Sequence, residues 1–222
     1  MKPLADCRLY AFVDAAYLDG RPPAALAEAL CLGGADIIQW RAKGWPAERV
    51  LQTALELAPV LRSHGVRFVV NDHLDVARAA GADLCHLGQE DFFDAGFRHA
   101  RDLKLQNVGL GLSTHAPGQA RAALEAEPDY IAIGPVFATG TKPEARPVTL
   151  DYVRWAAENV TLPWFAIGGI DLERLDRVLE AGASRVCVVS AILRAPDVRE
   201  ACRRFMDRLE SQGKFDRSRF SA

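Results

Sequence analysis

Apolar residues in this chain gather in eight short runs: RLYAFVD (8–14), DIIQWR (36–41), RFVVND (67–72), DLCHLG (83–88), VGLGLS (108–113), YIAIGP (130–135), WFAIGG (164–169) and RVCVVS (185–190). β-Branched and aromatic residues are frequent in them, and their length is that of strands. Between the runs, apolar positions recur at intervals of three and four. The segments are PPAALAEALCLGG, PAERVLQTALELAPVLRSHG, HLDVARAAG, APGQARAALEAE, TLDYVRWAAENV, DLERLDRVLEAG and PDVREACRRFMDRLESQG, with a weaker helical signal in FRHARDLKL. Gly33, Gly65, Gly81 and Gly182 stand just past the last apolar helical position of four segments, where a helix end calls for a residue that tolerates left-handed backbone.

Near-continuous apolar strands are buried on both faces, as in a parallel sheet covered by helices. An open doubly wound sheet shares this local signal, but eight strand-helix units favour closure into a (β/α)8 TIM barrel at about its minimum size. No Pro/Gly/Ser-rich linker or charge block divides the chain, so residues 1–212 are expected to form one barrel domain. Periodicity is lost in GKFDRSRFSA (213–222), read as a C-terminal tail.

Composition narrows the partners. The 222 residues carry 27 Lys plus Arg against 29 Asp plus Glu, a formal net charge of -2, which gives no field for a polyanion. Nucleic acid is not an expected partner; small molecules are. The five cysteines are scattered without a C-x-x-C pair, so neither a zinc site nor a dithiol motif is expected, and a reducing cytoplasmic setting fits. The N-terminal MKPLADCRLYAFVD lacks a signal-peptide pattern, and no stretch approaches the roughly 18 apolar residues of a membrane span. A homo-oligomer is compatible with the pattern.

In a barrel the site forms from loops after the strands, and the unusual polar residues fall there. The first run ends at Asp14. Gln39, Arg41 and Lys43 alternate, so their side chains point the same way, toward the barrel mouth. An amide and two cations suit an anionic ligand with a hydrogen-bonding ring. Asn71 and Asp72 end the third run, and Gly88-Gln89-Glu90-Asp91 follow the fourth. Asp72 and Asp91 suit a shared Mg2+ ion, which takes one or two carboxylates, waters and substrate phosphates. They also suit a structural turn and a helix cap, and Glu90 competes with Asp91. Ser113 and His115 follow the fifth run; Thr139, Thr141 and Lys142 lie in a loop after the sixth. That loop, GPVFATGTK, departs from a P-loop in glycine spacing and in the order of Lys and Thr. Gly168-Gly169 and Val189-Ser190 end the last two runs, where many barrels bind phosphate through backbone N–H groups. His86 reads as a hydrogen-bonded interior residue, and GLG (109–111) as close packing. Trp40 and Trp45 read as packing residues, or one of them as the wall of a ring pocket.

IIQWRAKG (37–44), FVVNDHLDVARAAGADLCHLGQED (68–91), GLSTH (111–115), DYIAIGPVFATGTK (129–142), WFAIGGI (164–170) and VCVVSAI (186–192) closely resemble the thiamine phosphate synthase family across almost the whole chain. The resemblance implies a TIM-barrel transferase of thiamine biosynthesis. Such an enzyme joins 4-amino-2-methyl-5-hydroxymethylpyrimidine diphosphate to thiazole ethyl phosphate, or its carboxylated form, with release of diphosphate. It implies that Gln39, Arg41, Lys43, Asn71, Ser113 and Lys142 contact the pyrimidine diphosphate, with Arg41, Lys43, Ser113 and Lys142 catalytic. Asp72 and Asp91 become magnesium ligands. Thr139, Thr141, Gly168, Gly169, Val189 and Ser190 hold the thiazole phosphate. The implied mechanism is dissociative: diphosphate departs first, and the thiazole nitrogen captures the pyrimidine-methyl cation.

The sequence departs from the family at three places: Val13 where Thr is usual before the Asp, Thr149 where Gly is usual, and Trp40 where an aliphatic residue is common. A paralogous thiazole tautomerase is the alternative, but its members carry His at the position of Pro135 and tend to lose the full diphosphate and metal set. A non-catalytic barrel that binds thiamine intermediates for regulation is a further alternative, disfavoured by the intact cationic and acidic residues.

Overall fold

A computed structural model describes residues 1–104, 107–139 and 147–219, the side chains of residues 212–219 excepted. Each apolar run forms a parallel strand: β1 (Leu9–Asp14), β2 (Ile37–Arg41), β3 (Arg67–Asn71), β4 (Leu84–Gly88), β5 (Gly109–Thr114), β6 (Tyr130–Ile133), β7 (Trp164–Ile167) and β8 (Val186–Cys187). Neighbours in sequence are neighbours in space, and β8 pairs with β1 through Leu9↔Val186 and Tyr10↔Cys187, closing an eight-stranded barrel. The architecture is the expected (β/α)8 barrel.

Nine helices are described: α1 (Pro23–Leu32), α2 (Ala47–Ser63), α3 (Leu74–Ala79), α4 (Gln89–Asp94), α5 (Pro117–Glu125), α6 (Thr149–Asn159), α7 (Leu172–Glu180), α8 (Ser190–Leu193) and α9 (Val198–Arg219). Helix α7 shows the local logic. Asp171 accepts a hydrogen bond from the Arg174 amide at the N-terminus, Leu175 and Val178 are buried, and Gly182 takes φ +100° just beyond the end. Gly65 and Gly81 are left-handed in the same way. At the end of α1 the left-handed residue is Gly34; Gly33 is required instead by contact, since a Cβ there would lie 2.6 Å from the Cys202 Cβ on α9. The solvent face of α2 tolerates Pro59, because the carbonyl it leaves without a helical partner belongs to exposed Leu55.

The structure differs from the sequence pattern in three places. Among its described residues FRHARDLKL holds only a 3-10 turn, Ala100–Leu103, while α4 forms upstream of it; each is too short for a period to show. Helix α9 runs on to Arg219, past Gly213, where a tail was expected. Trp40 points out of the barrel: it is fully buried, donates from Nε1 to the Val50 carbonyl at 3.1 Å, and packs edge-on to Trp45. Neither Trp lines the ring pocket that one of them was considered for. Alternation makes this unavoidable, because Gln39 and Arg41 point inward.

Inside the barrel, Tyr10, Tyr130 and Phe165 meet edge to face with ring centroids 5.5–5.9 Å apart, and Tyr10 stacks on Phe12. Gly111 faces Tyr130 in register, and a Cβ there would sit 2.1 Å from the ring. The GLG segment is therefore a packing device, as its position in a strand suggested.

Thr149 opens α6 with φ +63°. A β-branched residue is strained there, and its Oγ1 offers the Asp151 amide only a long 3.4 Å contact. Glycine, which the resemblance leads one to expect here, takes this backbone without strain. Thr149→Gly is expected to raise stability by about 0.5–1 kcal/mol, relief of strain outweighing the added chain entropy; chemical denaturation with an unchanged m value checks it.

All five cysteines are free. Burial pushes the thiols up, to about 11 for Cys7, about 12 for Cys31, Cys85 and Cys202, and further still for Cys187. Thiolate is therefore scarce at neutral pH. Iodoacetamide at pH 7.5 is expected to leave the folded protein unlabelled and to label all five sites after denaturation, as read by intact mass.

Candidate active site

The C-terminal ends of the strands enclose a cavity of about 1050 Å3, open solvent at its mouth included. Strands β2 to β5 build one wall. Gln39 is buried below the mouth, and its Nε2 donates to the Tyr10 hydroxyl at 2.7 Å. Two residues on, Arg41 donates from Nη1 to Asp14 Oδ2 at 2.7 Å, across the β1–β2 pair that sets these two residues side by side. Asp14 is almost fully buried, and its other oxygen accepts from the Ala16 amide at 2.9 Å. The carboxylate thus fixes one edge of the guanidinium, and Arg41 lines the cavity. Two further residues on, Lys43 Nζ lies 3.4 Å from Asp72 Oδ2.

Asp72 occupies left-handed backbone, φ +65°. Its amide donates to the His86 carbonyl at 2.9 Å, and the His73 amide donates to Asn71 O at 2.8 Å. These bonds turn the chain sharply at the strand end, with Asn71 and Asp72 both at the cavity. Asp91 lies in the first turn of α4, where its Oδ2 would be 2.6 Å from a Cβ built on Gly88. Glycine at 88 therefore lets the carboxylate lean over the end of β4. Asp91 lines the cavity, whereas Glu90 takes a 3.2 Å bond from Gln119 and does not line it. The geometry separates two residues that adjacency in sequence left competing.

In the closed barrel, β7 and β8 lie across from β3 and β4. Here Gly168 and Gly169 have φ +103° and +63°, and a Cβ on either would strike the segment from Pro135 to Ala138. The Val136 and Phe137 amides donate to Ile167 O and Gly168 O at 2.8 and 3.0 Å. Glycine thus lets the β6 and β7 loops interlock while their backbone faces the cavity. Val189 and Ser190, at the start of α8, complete this wall.

The cavity brings together Gln39, Arg41, Lys43, Asn71, Asp72, Asp91, Ser113, Thr139, Gly168, Gly169, Val189 and Ser190. Thr141 and Lys142 lie outside the described residues. His115 also lines it, with Nδ1 bonded to the Gly134 carbonyl. The sequence pattern does not mark Tyr10, which lines the cavity, or Tyr130, whose hydroxyl is 2.9 Å from that of Tyr10 beneath it. Both sit at inward-facing positions, and a phenol tip in an inward position of an apolar strand was the available signal. His86 is hydrogen-bonded in the interior as expected, with Nδ1 2.8 Å from the Tyr130 hydroxyl and Nε2 2.8 Å from Ser113 Oγ.

Comparison with known proteins points to one family. The family described as thiamine monophosphate synthase matches residues 9–192. A thiamine-phosphate synthase of Thermus thermophilus is 49% identical over 178 residues, covering 80% of this chain and 84% of the relative. That of Acidothermus cellulolyticus is 46% identical over 208 residues, 93% of this chain and 96% of the relative. The solved structure of a thiamine phosphate pyrophosphorylase from Pyrococcus furiosus superposes with a TM-score of 0.80 at 29% identity, covering 94% of this chain and 98% of that one. With a closed eight-stranded barrel and a matched region running from β1 into α8, this chain belongs to the thiamine monophosphate synthase family of transferases.

Proposed function

We propose that the cavity couples 4-amino-2-methyl-5-hydroxymethylpyrimidine diphosphate with thiazole ethyl phosphate, or its carboxylated form, to give thiamine phosphate and diphosphate. One observation carries the reading: a single cavity holds a wall of cations and carboxylates and, across the barrel, a glycine-rich wall. That division suits two phosphorylated substrates meeting between them. Gln39, Asn71 and Ser113 would take the pyrimidine diphosphate with Arg41 and Lys43, and Lys142 would join them. Thr139, Thr141, Gly168-Gly169 and Val189-Ser190 would hold the thiazole phosphate.

A magnesium ion fits the donor set. Among the described residues no three His, Cys, Asp or Glu side chains cluster, so protein alone does not complete a metal cage. Two carboxylates at one mouth, Asp72 and Asp91, with water and diphosphate oxygens supplying the remainder, match the habits of this ion. Bound there, it would neutralise charge on the departing diphosphate. The protein's own contribution is positional. Arg41, pre-set by Asp14, and Lys43 meet the charge that grows as the C–O bond breaks. Tyr10, Phe12, Ile167 and Val189 line the cavity and limit water around a pyrimidine-methyl cation until the thiazole nitrogen reaches it. Nitrogen attack needs no general base. Pro135 stands in the cavity wall where the tautomerases carry His, and His115 Nδ1 is tied to a backbone carbonyl.

The test is the purified protein with magnesium and both substrates, followed for thiamine phosphate and free diphosphate. Stoichiometric release is expected; interconversion of thiazole isomers without coupling would establish the tautomerase, and binding without turnover the regulatory barrel. Asp72→Ala is expected to lower kcat/KM by at least about 100-fold with the circular dichroism spectrum preserved. An unaltered magnesium dependence in that variant would remove Asp72 from the metal site.

A further inference from the structure

Five polar groups run across the barrel interior in an unbroken line, and the functional reading above uses the hydrogen-bonding groups of only its two ends, with Tyr10 entering it as a wall alone. Gln39 Nε2 is 2.7 Å from the Tyr10 hydroxyl, which is 2.9 Å from the Tyr130 hydroxyl. That hydroxyl is 2.8 Å from His86 Nδ1, and His86 Nε2 is 2.8 Å from Ser113 Oγ. The line starts on β2, crosses β1 and β6, and returns through β4 to β5. Only Gln39 and Ser113 need reach the ligand. We propose that Tyr10, Tyr130 and His86 are positioning residues forming a one-way hydrogen-bond relay, which commits Gln39 to accept and Ser113 to donate at the cavity.

The direction follows from counting protons. The Gln39 amide nitrogen only donates, so the Tyr10 oxygen accepts from it and turns its own proton to Tyr130. The Tyr130 oxygen, already accepting, sends its proton to His86 Nδ1. A neutral imidazole whose Nδ1 accepts carries its proton on Nε2. That proton goes to Ser113 Oγ, and the Ser113 proton is left for the cavity. At the other end the Gln39 amide oxygen, which takes no hydrogen bond among the described residues, is left to accept. Tyr10 and Tyr130 are 1% and 0% exposed, and burial raises both phenols well above their ordinary range. Each hydroxyl therefore keeps its proton, and water has little access to the middle of the line. Reversing one link obliges the others to reverse, since a buried donor facing a donor is costly.

The relay selects a ligand with a donor opposite Gln39 and an acceptor opposite Ser113. Resting on the proposed function, an exocyclic amino group of the pyrimidine faces the first, and a ring nitrogen or diphosphate oxygen the second. Gly111 belongs to the same device, because only glycine leaves room for the Tyr130 ring.

Two measurements test this. In the 15N-labelled protein, with His86 assigned by its loss in His86→Gln, the ring should be neutral with its proton on Nε2. A proton on Nδ1, or on both nitrogens, overturns the relay. This result needs neither substrate nor activity, so it decides the relay even if coupling fails and the functional reading falls. In the coupling assay, Tyr10→Phe and Tyr130→Phe keep the rings and delete the bonds. Each should raise KM for the pyrimidine diphosphate by about 3- to 10-fold, the scale of one buried hydrogen bond, with a smaller change in kcat and none in KM for the thiazole phosphate. The double variant should be no worse than the weaker single one. Losses that multiply, or that fall equally on both substrates, overturn the relay and leave the tyrosines as packing residues.

Discussion

A closed eight-stranded barrel has room inside only for the side chains of alternate positions, and polar atoms placed there are cut off from water and must pair with one another. The rest of this structure depends on that constraint. It lays the rings of Tyr10, Tyr130 and Phe165 across the interior, and it forces Gly111 opposite Tyr130. It also ties the two phenols to Gln39 and His86. The floor of the cavity is consequently rigid, and its hydrogen bonds are already made before a ligand arrives.

Above the floor, order is imposed by charge and by backbone shape. Asp14 has little contact with solvent and spends one oxygen on the Ala16 amide and the other on Arg41. Deprived of water, such a pair holds its geometry more firmly than an exposed one. Asp72 stands in left-handed backbone, held by bonds to the neighbouring strand and within its own turn. Sparsely populated backbone of this kind persists where the surroundings over-determine it, and functional sites collect it. Thr149 shares the left-handed region without a comparable set of bonds, which is why one position reads as built and the other as strained.

How much of this was legible beforehand depended on the range of the interaction. Strands, most helices and the parallel barrel follow from short near-continuous apolar runs and from a period of about 3.6, both of which are local. Short elements such as α4 and α8 hold too few residues for a period to register. The polar residues at the ends of the runs were visible because a barrel places every strand end at one mouth. The choice between Asp91 and Glu90 was not, because one step along a helix turns a side chain by about 100°. Nor was the outward direction of Trp40 drawn from its neighbours Gln39 and Arg41, although alternation implied it.

By itself the sequence determined the eight strand-helix units, their strand ends and the residue types gathered there, because apolar runs and helix periodicity act over a few residues. Only the tertiary structure decided which polar groups touch. Tyr10 and Tyr130 are 120 residues apart, and no local pattern links them. Their contact exists because closure of the sheet through the β1–β8 pair brings β1 and β6 within reach of each other's side chains across the interior, which is too dry to leave either hydroxyl alone.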